Sequence, residues 1–93
     1  MLALTFDLSV GKLKETFGEK YRKAYYETKN ILKKNGFFWY LGSSYLTEGT
    51  MAELFKAVSD LKGTLWFKES LKDIRAFRVE DWSDLTSIFK EER

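Results

Sequence analysis

The sequence contains no cysteine, no histidine and no proline. Without cysteine there is no disulfide framework and no thiolate metal site, which is the pattern of a cytoplasmic protein. Without histidine there is no imidazole general base, no zinc centre of the usual His or Cys type and no Ser-His-Asp triad. Any catalysis therefore falls to Asp, Glu, Lys, Arg, Tyr, Ser or Thr. The lack of proline favours regular elements joined by few rigid loops. No stretch approaches the roughly 18 to 20 apolar residues of a membrane span, and no basic region precedes a secretory apolar segment at the N-terminus. A protein that stays soluble, is not exported and makes no membrane contact is expected.

What remains suffices for one core. Of 93 residues, 44% are hydrophobic and 17% aromatic, and a chain this short buries only about 60 to 65% of its unfolded surface, too little for two cores. Residues 1–93 are read as a single domain. The net charge of +2 hides an asymmetry: residues 1–40 carry eight Lys or Arg against four acids, and residues 41–93 eight against ten. The basic half would attract a polyanion weakly.

In MLALTFDLSV, Leu2, Leu4, Phe6 and Leu8 alternate with Ala3, Thr5 and Asp7, the period of a strand with two unequal faces. Gly11 and Gly18 bracket a short basic segment. Tyr21, Ala24, Tyr25, Thr28, Ile31 and Leu32 then fall at helical spacing through KYRKAYYETKNILKK, which Gly36 stops. FFWYL at 37–41 reads as a strand, with SYLT returning as its hairpin partner after Gly42-Ser43. TMAE at 50–53 has the form of a capping box, followed by the stripe Met51, Leu54, Phe55, Val58 and Leu61 up to Gly63. After a connecting stretch with Trp66 and Phe67, DIRAFRVE at 73–80 reads as a fourth strand, and Ser83 starts a short helix bearing Leu85, Ile88 and Phe89.

The order β-α-β-β-α-β plus a terminal helix folds most readily, with right-handed crossovers, into an α+β ferredoxin-like arrangement with an antiparallel sheet ordered 4-1-3-2. That topology brings Asp7 near the Gly42-Ser43-Ser44-Tyr45 turn and near Asp73 to Arg75. Asp7 has the parity of Ala3 and Thr5, so it belongs to the face without helices. An open face with apolar groups is commonly covered by a second copy, and a symmetric homodimer is expected.

Two readings of Asp7 stand on the residues alone. It accepts hydrogen bonds from turn amides or pairs with an arginine such as Arg75. Alternatively, it faces its symmetry mate across a dimer seam, where two carboxylates raise each other's pKa or share a divalent cation such as magnesium. Gly42 and Ser43 are either a plain hairpin turn or a turn whose amides and hydroxyl hold a phosphate. Tyr45 and the cluster Phe37 to Tyr40 are core or dimer surface, or stack bases where a ring is exposed. Arg75 and Arg78 alternate in parity, so only one of them shares a face with Asp7.

The strand ending in FDL, the helical AY, GF before a strand, the GS-x-Y turn formed by Gly42, Ser43 and Tyr45, and DIRAFRVEDWSD at 73–84 together resemble virulence-associated protein D, the VapD family. DIRAFRVEDWSD is the specific part, and the likeness spans nearly the whole chain. The resemblance implies a small bacterial ribonuclease, in many cases the toxin of a toxin-antitoxin pair, built as a ferredoxin-like homodimer. It is also similar to the small dimeric nuclease-like subunit of CRISPR spacer-acquisition systems, in which an aspartate ending strand one occupies the dimer seam. Asp7 matches that position, Ser43 and Tyr45 match the turn motif, and Arg75 matches the arginine of DIRAF. Family members often carry asparagine where Thr47 stands, which puts an RNA-holding role at that position in doubt.

On this basis the expected activity is endoribonuclease cleavage. Asp7 is catalytic, as cation ligand or as the group orienting the nucleophile; Ser43 and Tyr45 bind substrate and Arg75 neutralises charge on the phosphate. RNA, a second copy of the chain and an antitoxin protein are the expected partners. The rival class is a noncatalytic dimer that binds RNA or a protein through the same surface.

Overall fold

The computed structural model describes residues 1–90. Its elements run β1 (Leu2–Leu8), α1 (Val10–Phe17), a 3-10 turn (Gly18–Lys20), α2 (Lys23–Lys34), β2 (Phe38–Leu41), β3 (Ser44–Thr47), α3 (Met51–Lys62), α4 (Leu65–Ser70), β4 (Leu71–Arg78) and α5 (Thr86–Lys90). The four strands form one antiparallel sheet ordered β2-β3-β1-β4, with β1 between β3 and β4. This is the ferredoxin-like arrangement that the order of periodic segments implies.

Two helices lie where the sequence pattern reads as connections. α1 starts at Ser9, whose side chain accepts the Lys12 backbone N–H at 3.2 Å, satisfying one of the free donors of a helix N-terminus. Leu13 anchors α1 in the core with no exposed surface. α4 buries Phe67 and Ser70, and the Ser70 hydroxyl donates to the Trp66 carbonyl at 2.7 Å. Its chain then turns directly into β4, which begins at Leu71 rather than Asp73.

The helix expected from Ser83 begins only at Thr86, whose N–H donates to the Asp84 carboxylate at 2.9 Å. Capping at α3 also differs from expectation. Thr50 makes no side-chain cap bond, and the Glu53 carboxylate folds back against Gly49.

The sheet has two unlike faces because the strand period is two. Leu2, Leu4, Phe6 and Leu8 point to the helices and join Leu13, Leu32, Leu54, Leu61 and Phe67 in one core. On the other face, Phe38, Leu46, Ala3 and Phe77 sit side by side across all four strands. Phe38, Phe77 and Trp82 remain exposed there, and Trp82 packs edge-on against Tyr40 with ring centroids 4.9 Å apart. Leu85, Ile88 and Phe89 are likewise exposed in the single chain.

Candidate active site

Asp7 occupies the end of β1 where the sheet stops being regular. The register with β4 pairs Thr5 with Arg75 and Asp7 with Asp73, then shifts so that Leu8 meets Leu71. The extra residue is Lys72, and such a bulge re-aims side chains at a strand end. Two carboxylates thus stand directly opposite one another, an arrangement that is unfavourable without counter-charge. Two cations supply it. The Lys72 ammonium lies 3.7 Å from Asp7, and Arg75 Nε donates to Asp73 at 3.0 Å.

The expected pairing of Asp7 with Arg75 is therefore replaced by Asp7 with Lys72, because Asp73 claims the guanidinium. Both pairs are solvent-exposed, with the Asp7 side chain 64% accessible, so neither adds much stability. An exposed, loosely held carboxylate is open to a substrate.

The hairpin turn meets Asp7 from the other side. Phe6 N–H donates to the Ser43 carbonyl at 3.1 Å, one residue before Asp7, and Gly42 takes the positive φ of 53° that the tight turn demands. Behind that turn a cleft of ≈230 Å³ is lined by Tyr25, Tyr26, Lys29, Trp39, Ser43 and Tyr45, with Phe6 and Gly42. Tyr45 forms its inner wall, only 4% exposed, and lies parallel to Phe6 with centroids 6.0 Å apart. Its burial pushes the Tyr45 phenol pKa above the usual 10.0.

The sequence-derived site residues fall into two groups. Ser43 and Tyr45 line the cleft on the helix side. Arg75 pairs with Thr5, itself opposite Ser44, on the open face. Asp7 sits at the sheet end next to both groups. Arg78 pairs with Leu2 and so belongs to the face opposite that of Arg75, as alternation requires.

Three residues join the site: Asp73, which topology already places near Asp7, and Lys72 and Tyr25, which pattern reading does not single out. Asp73 and Lys72 arrive through the bulge. Tyr25 of α2 is the third: its phenol pKa is raised by burial first, then by the negative charge of Asp7 and by Tyr21, which puts the phenol within electrostatic reach of the carboxylate. Its presence in the AY pair is the one sequence signal that pointed to it.

Thr47, for which a role in holding RNA is in doubt, is 1% exposed. Its hydroxyl donates to the Gly36 carbonyl at 2.8 Å and accepts the Gly49 N–H at 3.0 Å. This is an internal tie, away from solvent.

Oxygen-only donors suit magnesium, which keeps several waters and needs only one or two protein carboxylates beside a phosphate. Asp7 and Asp73 offer two carboxylates at the sheet end, each paired with a cation, Lys72 and Arg75. Among the described residues no group of three or more Asp, Glu, His or Cys is placed to hold a metal ion. No helix among them is long and apolar enough to cross a membrane.

No family model matches the sequence. Individual relatives do. The chain is 48% identical over 91 residues to a protein of Dichelobacter nodosus named Endoribonuclease VapD, covering 97% of this chain and 98% of that one. A Helicobacter pylori protein of the same name is 47% identical over 93 residues, with 97% and 99% covered. A protein of Neisseria gonorrhoeae named Endoribonuclease VapD homolog is 42% identical over 91 residues, again covering 97% and 99%.

Proposed function

Since the chain belongs to the VapD endoribonuclease family, we propose that it cleaves RNA phosphodiester bonds with Asp7 as its catalytic group. The observation that carries this reading is the position of Asp7: exposed, opposite Asp73, and one residue beyond the backbone bond that ties β1 to the Ser43 turn. A phosphate at the end of β1 would meet Asp7, Lys72 and Arg75 together, with Ser43 beside it.

In the step itself, the attacking hydroxyl gives its proton to the Asp7 carboxylate while its oxygen bonds to phosphorus. The bond from phosphorus to the leaving ribose oxygen breaks, and that oxygen takes a proton from water. Lys72 and Arg75 offset the negative charge that grows on the phosphoryl oxygens. Arg75 binds Asp73 through Nε, which leaves its terminal N–H groups to face a phosphate. Ser43 and Tyr45 hold the substrate on the cleft side. A divalent cation such as magnesium, held by Asp7 and Asp73, would supply Lewis-acid polarisation of the phosphate.

The working unit is a homodimer that covers the open face. The apolar row Phe38, Leu46, Ala3 and Phe77 supports this, as does the exposed Trp82. Asp7 shares the strand parity of Ala3 in that row, so a second copy seated on the open face lies on the same side of β1 as Asp7. The biological role is the toxin of a toxin-antitoxin pair acting in the cytoplasm, with an antitoxin protein as inhibitor. Growth arrest on induction, relieved by the product of a neighbouring reading frame, tests that role.

The activity is tested by incubating the purified chain with an end-labelled single-stranded RNA. Discrete internal cuts are expected. RNA that is bound and recovered intact would favour the noncatalytic binding module instead.

A further inference from the structure

The cleft beside Asp7 has a composition that its walls alone do not explain. Trp39 is 52% exposed, yet its indole is fixed: Nε1 donates to the Gly42 carbonyl at 2.8 Å. The Lys29 ammonium lies 5.6 Å from the centre of the same ring. Tyr26, on the same turn of α2 as Lys29, is 67% exposed. The ammonium thus stands over the face of a ring held rigid in water, a position from which a stacking base would displace it toward the phosphate of a flat, anionic ligand.

We propose that this cleft is a nucleobase subsite, in which one base of a single-stranded RNA stacks on Trp39 while Lys29 meets the adjoining phosphate. The inference rests on the RNA-cleaving reading and adds to it the surface that sets which nucleotide lies next to the cut.

Four further observations support it. The cleft volume of ≈230 Å³ leaves room for one planar base. The Phe6 N–H donates to the Ser43 carbonyl, which ties the cleft to the end of β1, and Tyr25 in its wall lies within reach of the Asp7 charge. Trp39 pairs with Tyr45 on the helix side of the sheet, whereas its neighbour Phe38 pairs with Leu46 on the open face. A second copy seated on the open face would leave the Trp39 ring accessible. Among the lining residues the charged one is Lys29, so the cleft suits a ligand with negative charge and disfavours a cation.

Stacking of one base contributes enough binding that its loss changes affinity about ten-fold or more. Trp39→Ala should therefore raise KM for RNA by about that factor while kcat changes little, and Trp39→Phe should recover most of the affinity. In wild type, an RNA with one abasic ribose beside the cut should show the same rise, and Trp39→Ala should make that substrate no worse. Thermal unfolding of each variant reports whether the fold is kept.

Equal KM for wild type and folded Trp39→Ala overturns the subsite while leaving RNA cleavage standing. Failure of the parent reading looks different: wild type leaves RNA uncut. Binding then decides the subsite, because a short oligoribonucleotide should quench the Trp39 fluorescence. Quenching that disappears in Trp39→Phe upholds the subsite, and quenching of the same size in both proteins overturns it.

Discussion

Replacing Thr47 with valine separates a structural role from an RNA-binding one at that position. Valine keeps the shape of the side chain and removes only the hydroxyl. That hydroxyl joins Gly36, at the end of α2 with φ +82°, to Gly49 in the loop before α3. The site is 1% exposed, so water does not readily replace either partner. Each lost hydrogen bond costs about 1 kcal/mol, and more where a buried group is left unpaired, giving roughly 2 to 3 kcal/mol for Thr47→Val. For a domain of this size each kcal/mol moves Tm by about 4 to 8 °C, so a fall of roughly 8 to 24 °C is expected by circular dichroism. At a temperature where the variant stays folded, kcat/KM for RNA should be unchanged. An unaltered Tm together with lost RNA affinity would refute the reasoning and make Thr47 a substrate contact.

Alkaline stability should depend on Tyr45. Burial holds its folded pKa above the usual 10.0, so the unfolded chain ionises first; this contribution is whole below pH 10 and is lost as pH rises through the folded value. Tyr45→Phe should flatten that alkaline limb in denaturation series run at increasing pH, and an unchanged limb would contradict the assignment. EDTA should lower cleavage, magnesium should restore it, and Asp73→Asn should raise the magnesium concentration required; full activity in EDTA would remove the cation and leave Asp7 acting as a base alone. Phe77→Asp sets a charge in the middle of the open face, and sedimentation should show a folded monomer in place of a dimer. A dimer unchanged by that substitution would move the interface elsewhere.

Much of the fold is legible because its signals are periodic. The alternation in β1, the stripe of α2, the glycine at the β2–β3 turn and the stripe of α3 each act over several residues, and their order alone limits the sheet topology. α1 and α4 escape for opposite reasons. α1 has a glycine at its second position and only Leu13 buried, so its apolar period is faint; α4 is six residues long, too short for a period to register. Ser9 is the readable signal for α1, since serine directly before a helix is a favoured N-cap whose hydroxyl accepts a backbone N–H of the first turn.

The site divides the same way. Topology brings Asp7 to the Ser43 turn because β1 lies between β3 and β4 in any such sheet. It does not reveal Asp73 directly opposite, since that register depends on a one-residue bulge at Lys72 that no spacing rule announces. Nor does it separate Tyr45 from Arg75 onto different faces until the strand registers are known.

The central claim is that Asp7 performs the chemistry. Asparagine is nearly isosteric with aspartate but cannot accept a proton from the nucleophile, and the exposed pair with Lys72 that it would lose adds little stability. The direct measurement is the single-turnover rate of RNA cleavage by purified Asp7→Asn, with its Tm and sedimentation compared with wild type. A folded protein of unchanged assembly state that no longer cuts RNA is the predicted result. Cleavage at the wild-type rate by that folded variant would contradict it.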